Sequence, residues 1–159
     1  MLTLQELAGA GERDLLVAML NKSNNIDGFD RNGNTALHCA VWEGHLEIAR
    51  LLIDQGATLN IAVQSALMTQ WTPLHLAAEN DQVECASLLI QSGADIDAKD
   101  QYGTTPLMLA VDEMVSVSVA KLLLQKGADR EGCLQIAIKY SDVEGATEII
   151  EMIRSENLD

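Results

Sequence analysis

The side chains best suited to chemistry in this 159-residue chain are three histidines, His38, His45 and His75, and three cysteines, Cys39, Cys85 and Cys133. A metal site would need such ligands a few residues apart, and a nucleophile would need a base held beside it. The spacings serve neither purpose. His38 and His75 each stand three residues after a threonine, Thr35 and Thr72, and His45 follows Gly44 in a turn. The cysteines fall singly in apolar stretches, where a thiol packs as a small hydrophobe. Their odd number and wide spacing fit neither a disulfide framework nor a zinc site, so reduced thiols in the cytoplasm are expected. No glycine-rich phosphate loop, HExxH or nucleophile elbow occurs. No catalytic residue, metal or cofactor is expected, and an enzyme or cofactor-binding protein is the remote alternative. Recognition by carboxylates and aromatic rings is the chemistry that remains.

The elements that would position those groups repeat. Thr35-Ala-Leu-His-Cys-Ala, Thr72-Pro-Leu-His-Leu-Ala and Thr105-Pro-Leu-Met-Leu-Ala are one element three times, with threonines 37 and 33 residues apart. A threonine before Pro73 or Pro106 suits a helix start, because the threonine can cap and the proline lacks only an N–H that would be orphaned anyway. A second helical face follows each copy, carrying apolar triplets at 51–53, 88–90 and 122–124, and a Gly-Ala pair closes it at 56, 93 and 127. Two short helices cannot bury their apolar faces alone and need copies on either side.

This pattern resembles the ankyrin repeat, whose TPLH and GAD signatures are matched from residue 30 to 130. The resemblance implies an all-α solenoid of about five helix-turn-helix units with short β-hairpin fingers, in one domain. Three repeats, at 30–66, 67–99 and 100–130, would lie between an N-terminal capping unit (1–29) and a C-terminal one (131–159), where Glu144, Glu148, Glu151 and Arg154 give the last helix a polar outer side. It also implies that His38 and His75 make structural hydrogen bonds between units. Fingers and the end of each first helix would line a concave groove for partners.

Departures from the repeat carry more information than matches. Gly93 to Thr105 is 12 residues, with Asp97, Asp100 and Gly103 at the turn positions, and residues 27–33 have the same layout. Gly56 to Thr72 is 16, and this second finger has exchanged its Asp and Gly for Ile61, Val63, Leu67, Met68 and Trp71. One extra residue between Val111 and Val119 should distort the inter-helix turn there. The last unit runs from Gly127 to Gly132 without a finger.

The chain has five aromatic residues, and alignment of the units keeps all of them out of core positions. Phe29, Trp71 and Tyr102 fall in the fingers; Trp42 and Tyr140 fall in the variable slots ending a first helix. Aromatic residues that a core does not need are the type most often found as binding hot spots. A packing role is open beside it: Trp71 over the neighbouring finger, Phe29 over the edge of the first core layer. The same slots carry Glu43, Glu79, Asp112 and Glu113, a line of carboxylates along one face.

A net charge of −14 repels phosphate backbones, which argues against nucleic acid, and speeds association with a basic surface. No apolar run reaches bilayer length, and the N-terminus has neither the basic nor the apolar region of a secretory signal. The expected function is non-catalytic binding of one partner protein with a basic surface by a monomer, through the groove and the apolar second finger. An inhibitor or immunity-type protein covering the active site of a basic enzyme is the alternative reading.

Overall fold

The computed structural model describes residues 2–20, 25–64, 70–112, 116–142 and 145–155. Each unit is a pair of short helices: α1 (Leu4–Gly9) and α2 (Arg13–Leu20), α3 (Ala36–Trp42) and α4 (Leu46–Asp54), α5 (Pro73–Glu79) and α6 (Val83–Gln91), α7 (Pro106–Val111) and α8 (Val117–Gln125), α9 (Cys133–Lys139) and α10 (Ala146–Arg154). The first helices α1, α3, α5, α7 and α9 pack in one row, and α4, α6, α8 and α10 pack in a second row behind it. The result is the stacked all-α repeat that the motifs imply. Ala8, Ala40, Ala77, Ala110 and Ala137, one in each first helix, are wholly buried, so the helices of that row approach with only a methyl group between them. Leu37, Leu74 and Leu107 of the first helices and Leu52, Leu89 and Leu123 of the second fill the layers between rows. Burial of such side chains contributes about 1.5–3 kcal/mol each, and neighbouring units share every layer.

Polar ties run between units on both sides of this core. In the loop entering each finger, a side-chain oxygen accepts a backbone N–H from the next unit: Asp27 from Thr58 (2.9 Å), Asn60 from Asp95 (3.0 Å) and Asp97 from Asp129 (2.8 Å). On the opposite side, the residue starting a second helix reaches back to the preceding inter-helix turn. His45 Nε2 lies 3.0 Å from the Gly9 carbonyl, and the Ser116 hydroxyl donates to Asp81. Gly44, at φ 71°, sits where an added Cβ would lie 2.3 Å from the Gln82 side chain.

The histidines of the repeated motif cap their own helices. Nδ1 of His75 accepts the Thr72 N–H (3.2 Å), so its proton is on Nε2, which donates to the Thr104 carbonyl of the next unit (3.0 Å). His38 accepts the Thr35 N–H in the same way (3.1 Å), but among the described residues its buried Nε2 has no partner. The carbonyls of Trp71 and Ile61 face it without meeting hydrogen-bond geometry, and Trp71 O already accepts from Val63 N at 2.8 Å. Burial lowers the pKa of His38 to about 4 and that of His75 in the same direction, keeping both rings neutral.

Among the described residues the fingers are tight turns, with no strand assigned. Asp30 Oδ1 accepts the N–H groups of Asn32 and Asn34, and Asp100 Oδ1 those of Tyr102 and Thr104, all at 2.8 Å. Each turn ends on a left-handed glycine, Gly33 at φ 80° or Gly103 at φ 82°. A side chain at Gly33 is doubly excluded, since its Cβ would lie 2.1 Å from the Gln64 carbonyl of the next finger. In the second finger the Asp100-to-Thr104 pairing becomes Val63 to Trp71, so the four extra residues fall between those two positions in the chain. Gln70, at φ 62°, occupies the left-handed position that glycine holds in the other two.

The other departures are visible too. Asp112 at the end of α7 is extended (ψ 132°) where Glu43 at the end of α3 is helical, a consequence of the extra residue before Ser116. Residues 143–144 lie outside the described set, and α10 begins at Ala146 because left-handed Gly145 (φ 87°) precedes it.

Three measurements test this account. Leu89→Ala in the wholly buried central layer lowers unfolding free energy in urea by about 2–5 kcal/mol. Gln70→Gly raises it by about 1 kcal/mol, because a non-glycine residue in the left-handed region carries a penalty of that order. The third concerns pH. The unfolded chain binds a proton on His38 below about pH 6.5 and the folded chain only near pH 4, so stability is present above pH 6.5 and is lost as pH falls through that window. The loss attributable to His38 is on the order of 3 kcal/mol. Urea midpoints measured between pH 7 and pH 5, above the carboxylate range, therefore fall in the wild type and fall less in His38→Gln.

Candidate functional site

Residues of α1, α3 and the first finger line a common surface at the N-terminal end of the row of first helices. There a groove of about 510 Å³ runs between α1 and α3, with Gln5, Glu6, Asp30, Trp42 and Glu43 in its lining. A second hollow of about 560 Å³ adjoins it, shares Gln5, Glu6, Asp30 and Asn32, and extends to Phe29 and Arg31. Phe29 and Trp42 thus stand along one trough, and their exposures, 40% and 42%, are high for large apolar side chains.

Local sequence explains the shape. Ala10 in the first unit occupies the slot that Trp42 fills in the second, so no side chain of comparable size stands against the indole from that side. Glu6 occupies the motif position of His38. It completes the same helix cap, its carboxylate accepting the Thr3 N–H at 2.7 Å while Thr3 Oγ1 accepts the Glu6 N–H at 3.1 Å. Those two hydrogen bonds with Thr3 lower the Glu6 pKa. A charged group therefore faces the groove where the next two units bury a histidine ring.

The remaining residues singled out in the sequence are dispersed. Glu43 is exposed at the end of α3, Glu79 is half-buried at the end of α5, and Asp112 is exposed at the end of α7, successive positions along the row. Tyr102 projects from the third finger with 75% exposure. Tyr140, at the end of α9, is half-buried against the core; the Lys139 ammonium lies 4.7 Å from its ring centroid and donates to its hydroxyl at 2.8 Å. Leu67, Met68 and Glu113 lie outside the described residues.

Trp71 takes the packing role. It is half-buried against the core, and its indole Nε1 donates to Asp100 Oδ2 in the next finger at 3.2 Å. Burial raises the pKa of Asp100, but hydrogen bonds from the Thr104 and Tyr102 amides and the Trp71 indole outweigh it and hold the carboxyl below its usual value. The signal was present in sequence, since Asp100 sits in the finger that Trp71 must face, but it required knowing which way the side chain turns. The bridging role of His45 also has no local sequence signal, because its partner, the Gly9 carbonyl, is 36 residues away.

The thiols are free, and burial raises Cys39 to about 12 and Cys85 and Cys133 to about 11, where thiolate is scarce at neutral pH. Among the described residues no group of histidine, cysteine and carboxylate side chains is placed to hold a metal ion, and no helix is long and apolar enough to cross a membrane.

Comparison with known proteins agrees with the architecture. A family model of ankyrin repeats matches residues 60–132, and a single-repeat model of the same family matches residues 32–63. The chain is 38% identical over 66 residues to the human Notch-regulated ankyrin repeat-containing protein, covering 42% of this chain and 54% of that protein. The zebrafish (Danio rerio) Notch-regulated ankyrin repeat-containing protein A is 39% identical over 64 residues, covering 40% and 54%. The chain therefore spans about half the length of these relatives. Alpha-latrotoxin-Lh1a of Latrodectus hasselti is 32% identical over 107 residues, which is 65% of this chain but 8% of the toxin. Two family models that together run from residue 32 to 132, over units stacked in two helical rows, place this chain in the ankyrin-repeat family.

Proposed function

We propose that this chain binds a partner protein with a basic surface on the face made by its first helices and finger tips, and that Trp42 and Tyr102 are the principal contacts. Ankyrin repeats are protein-interaction modules, and proteins of the family are generally non-catalytic. The observation that supports this reading is the exposure of Trp42 and Tyr102 in a protein whose other tryptophan packs partly against the core. Trp71 drops out of the list of anchors, because its indole is engaged by Asp100.

The acidic residues of that face support a basic partner. Glu43 is exposed at the end of α3 and Asp112 at the end of α7, on a molecule of net charge −14. Charges on such a rim raise association rates more than they deepen affinity. The rigid stack lets the face meet its partner with little ordering of the backbone, which keeps the entropic cost of binding low.

The test is capture of the partner from a native lysate by the whole chain, followed by purified binding of the captured protein. Trp42→Ala with Tyr102→Ala weakens that binding by about tenfold or more, while the thermal midpoint stays near the wild-type value because both side chains lie outside the core. Binding that survives both substitutions removes this face as the contact surface. An association rate that does not fall with added salt removes the basic partner.

A further inference from the structure

We propose that the groove between α1 and α3 receives an arginine side chain from an extended segment of the partner. Its guanidinium would lie on the Trp42 indole and donate hydrogen bonds to Asp30 and Glu43. This rests on the reading of the face as protein-binding and names the occupant of its N-terminal end.

Equivalent positions within the molecule point to this occupant. Asp30 and Asp100 build the same turn, each spending Oδ1 on two backbone N–H groups of its own finger. In the third finger, Asp100 Oδ2 is satisfied by a planar N–H donor from the preceding one, the Trp71 indole. The residue aligned with Trp71 one unit before Asp30 is Leu2, which has no side-chain donor. Asp30 Oδ2 therefore has no hydrogen-bond partner among the described residues, and Asp30 lines the groove. A guanidinium supplies planar N–H donors in the place the indole takes elsewhere.

Charge and shape select the same group. Glu43 and Asp30 meet no cationic side chain within ion-pair distance among the described residues, and Glu6 adds a third carboxylate to the lining. An anionic groove with an exposed indole in its wall favours a cation that is also flat and weakly hydrated. Arginine stacks on aromatic faces and forks onto carboxylates, whereas an ammonium is a compact, strongly hydrated point charge. A volume of about 510 Å³ accommodates one long side chain and the backbone that carries it.

The two tryptophans give two indole N–H resonances, so one titration separates the groove from the fold. The full chain, labelled with nitrogen-15, is titrated with the peptide acetyl-Gly-Ser-Gly-Arg-Gly-Ser-Gly-amide and with the same peptide carrying citrulline, the neutral isostere of arginine. The arginine peptide moves the Trp42 resonance saturably and leaves Trp71 in place, and citrulline weakens the effect by about tenfold. Asp30→Asn, which keeps the Oδ1 acceptor of the turn, and Glu43→Gln each weaken it several-fold with an unchanged thermal midpoint. Equal binding of the citrulline peptide overturns the proposal in favour of a neutral occupant. No saturable movement of Trp42 overturns it as well. In that case, continued dependence of the captured partner on Trp42 and Tyr102 leaves the protein-binding reading standing, and its loss removes both.

Discussion

A pair of helices six to nine residues long has too little apolar surface to hold itself together, and every other feature of this protein answers that constraint. Each layer of leucine and alanine is shared by two neighbouring units, so no unit owns a core. The alanine row shows why the sequence is so repetitive. A side chain larger than a methyl group at Ala40, Ala77 or Ala110 would push two first helices apart and open the layer beside it. Stacking in turn leaves finger and turn backbones lying against one another, where their N–H groups need acceptors. The side chains of Asp27, Asn60 and Asp97 supply them.

This use of side-chain oxygens changes the meaning of the net charge. Asp27, Asp30, Asp81, Asp97 and Asp100 all accept hydrogen bonds that close a turn or join two units. Their negative charge accompanies a structural duty. Among the acids outside these ties, Glu43 lines the open groove. A field made by a few exposed residues is local, and at physiological salt it reaches about 8 Å. The acidity of the chain as a whole therefore says less about a partner than the acidity of this one face.

The helices were legible because threonine caps, Pro73, Pro106 and recurring leucines act within a few residues of one another. The ties between units were not. Asp97 and Asp129 are 32 residues apart, and each on its own reads as an ordinary turn former. The irregular second finger was visible as an insertion, and its four extra residues fall between the paired Val63 and Trp71. What the insertion does to Trp71 depended on a hydrogen bond to a residue 29 positions later. Periodicity gives the place of a residue in a unit, and the side chain's direction then follows from what the next unit offers it.

The same rule explains why the N-terminal end of the face differs from the rest. In the interior of the stack each position meets its counterpart on both sides, and several donors and acceptors find partners there: His75 has Thr104, and Asp100 has Trp71. Beside the first unit the counterparts change. Ala10 replaces a large side chain, Glu6 replaces a histidine and Leu2 replaces a donor. Trp42 is left exposed and one oxygen of Asp30 is left open, in a groove that the regular units do not need. Specific recognition in a repeat protein requires such a break, because a face that satisfies itself at every position has nothing left to offer a partner.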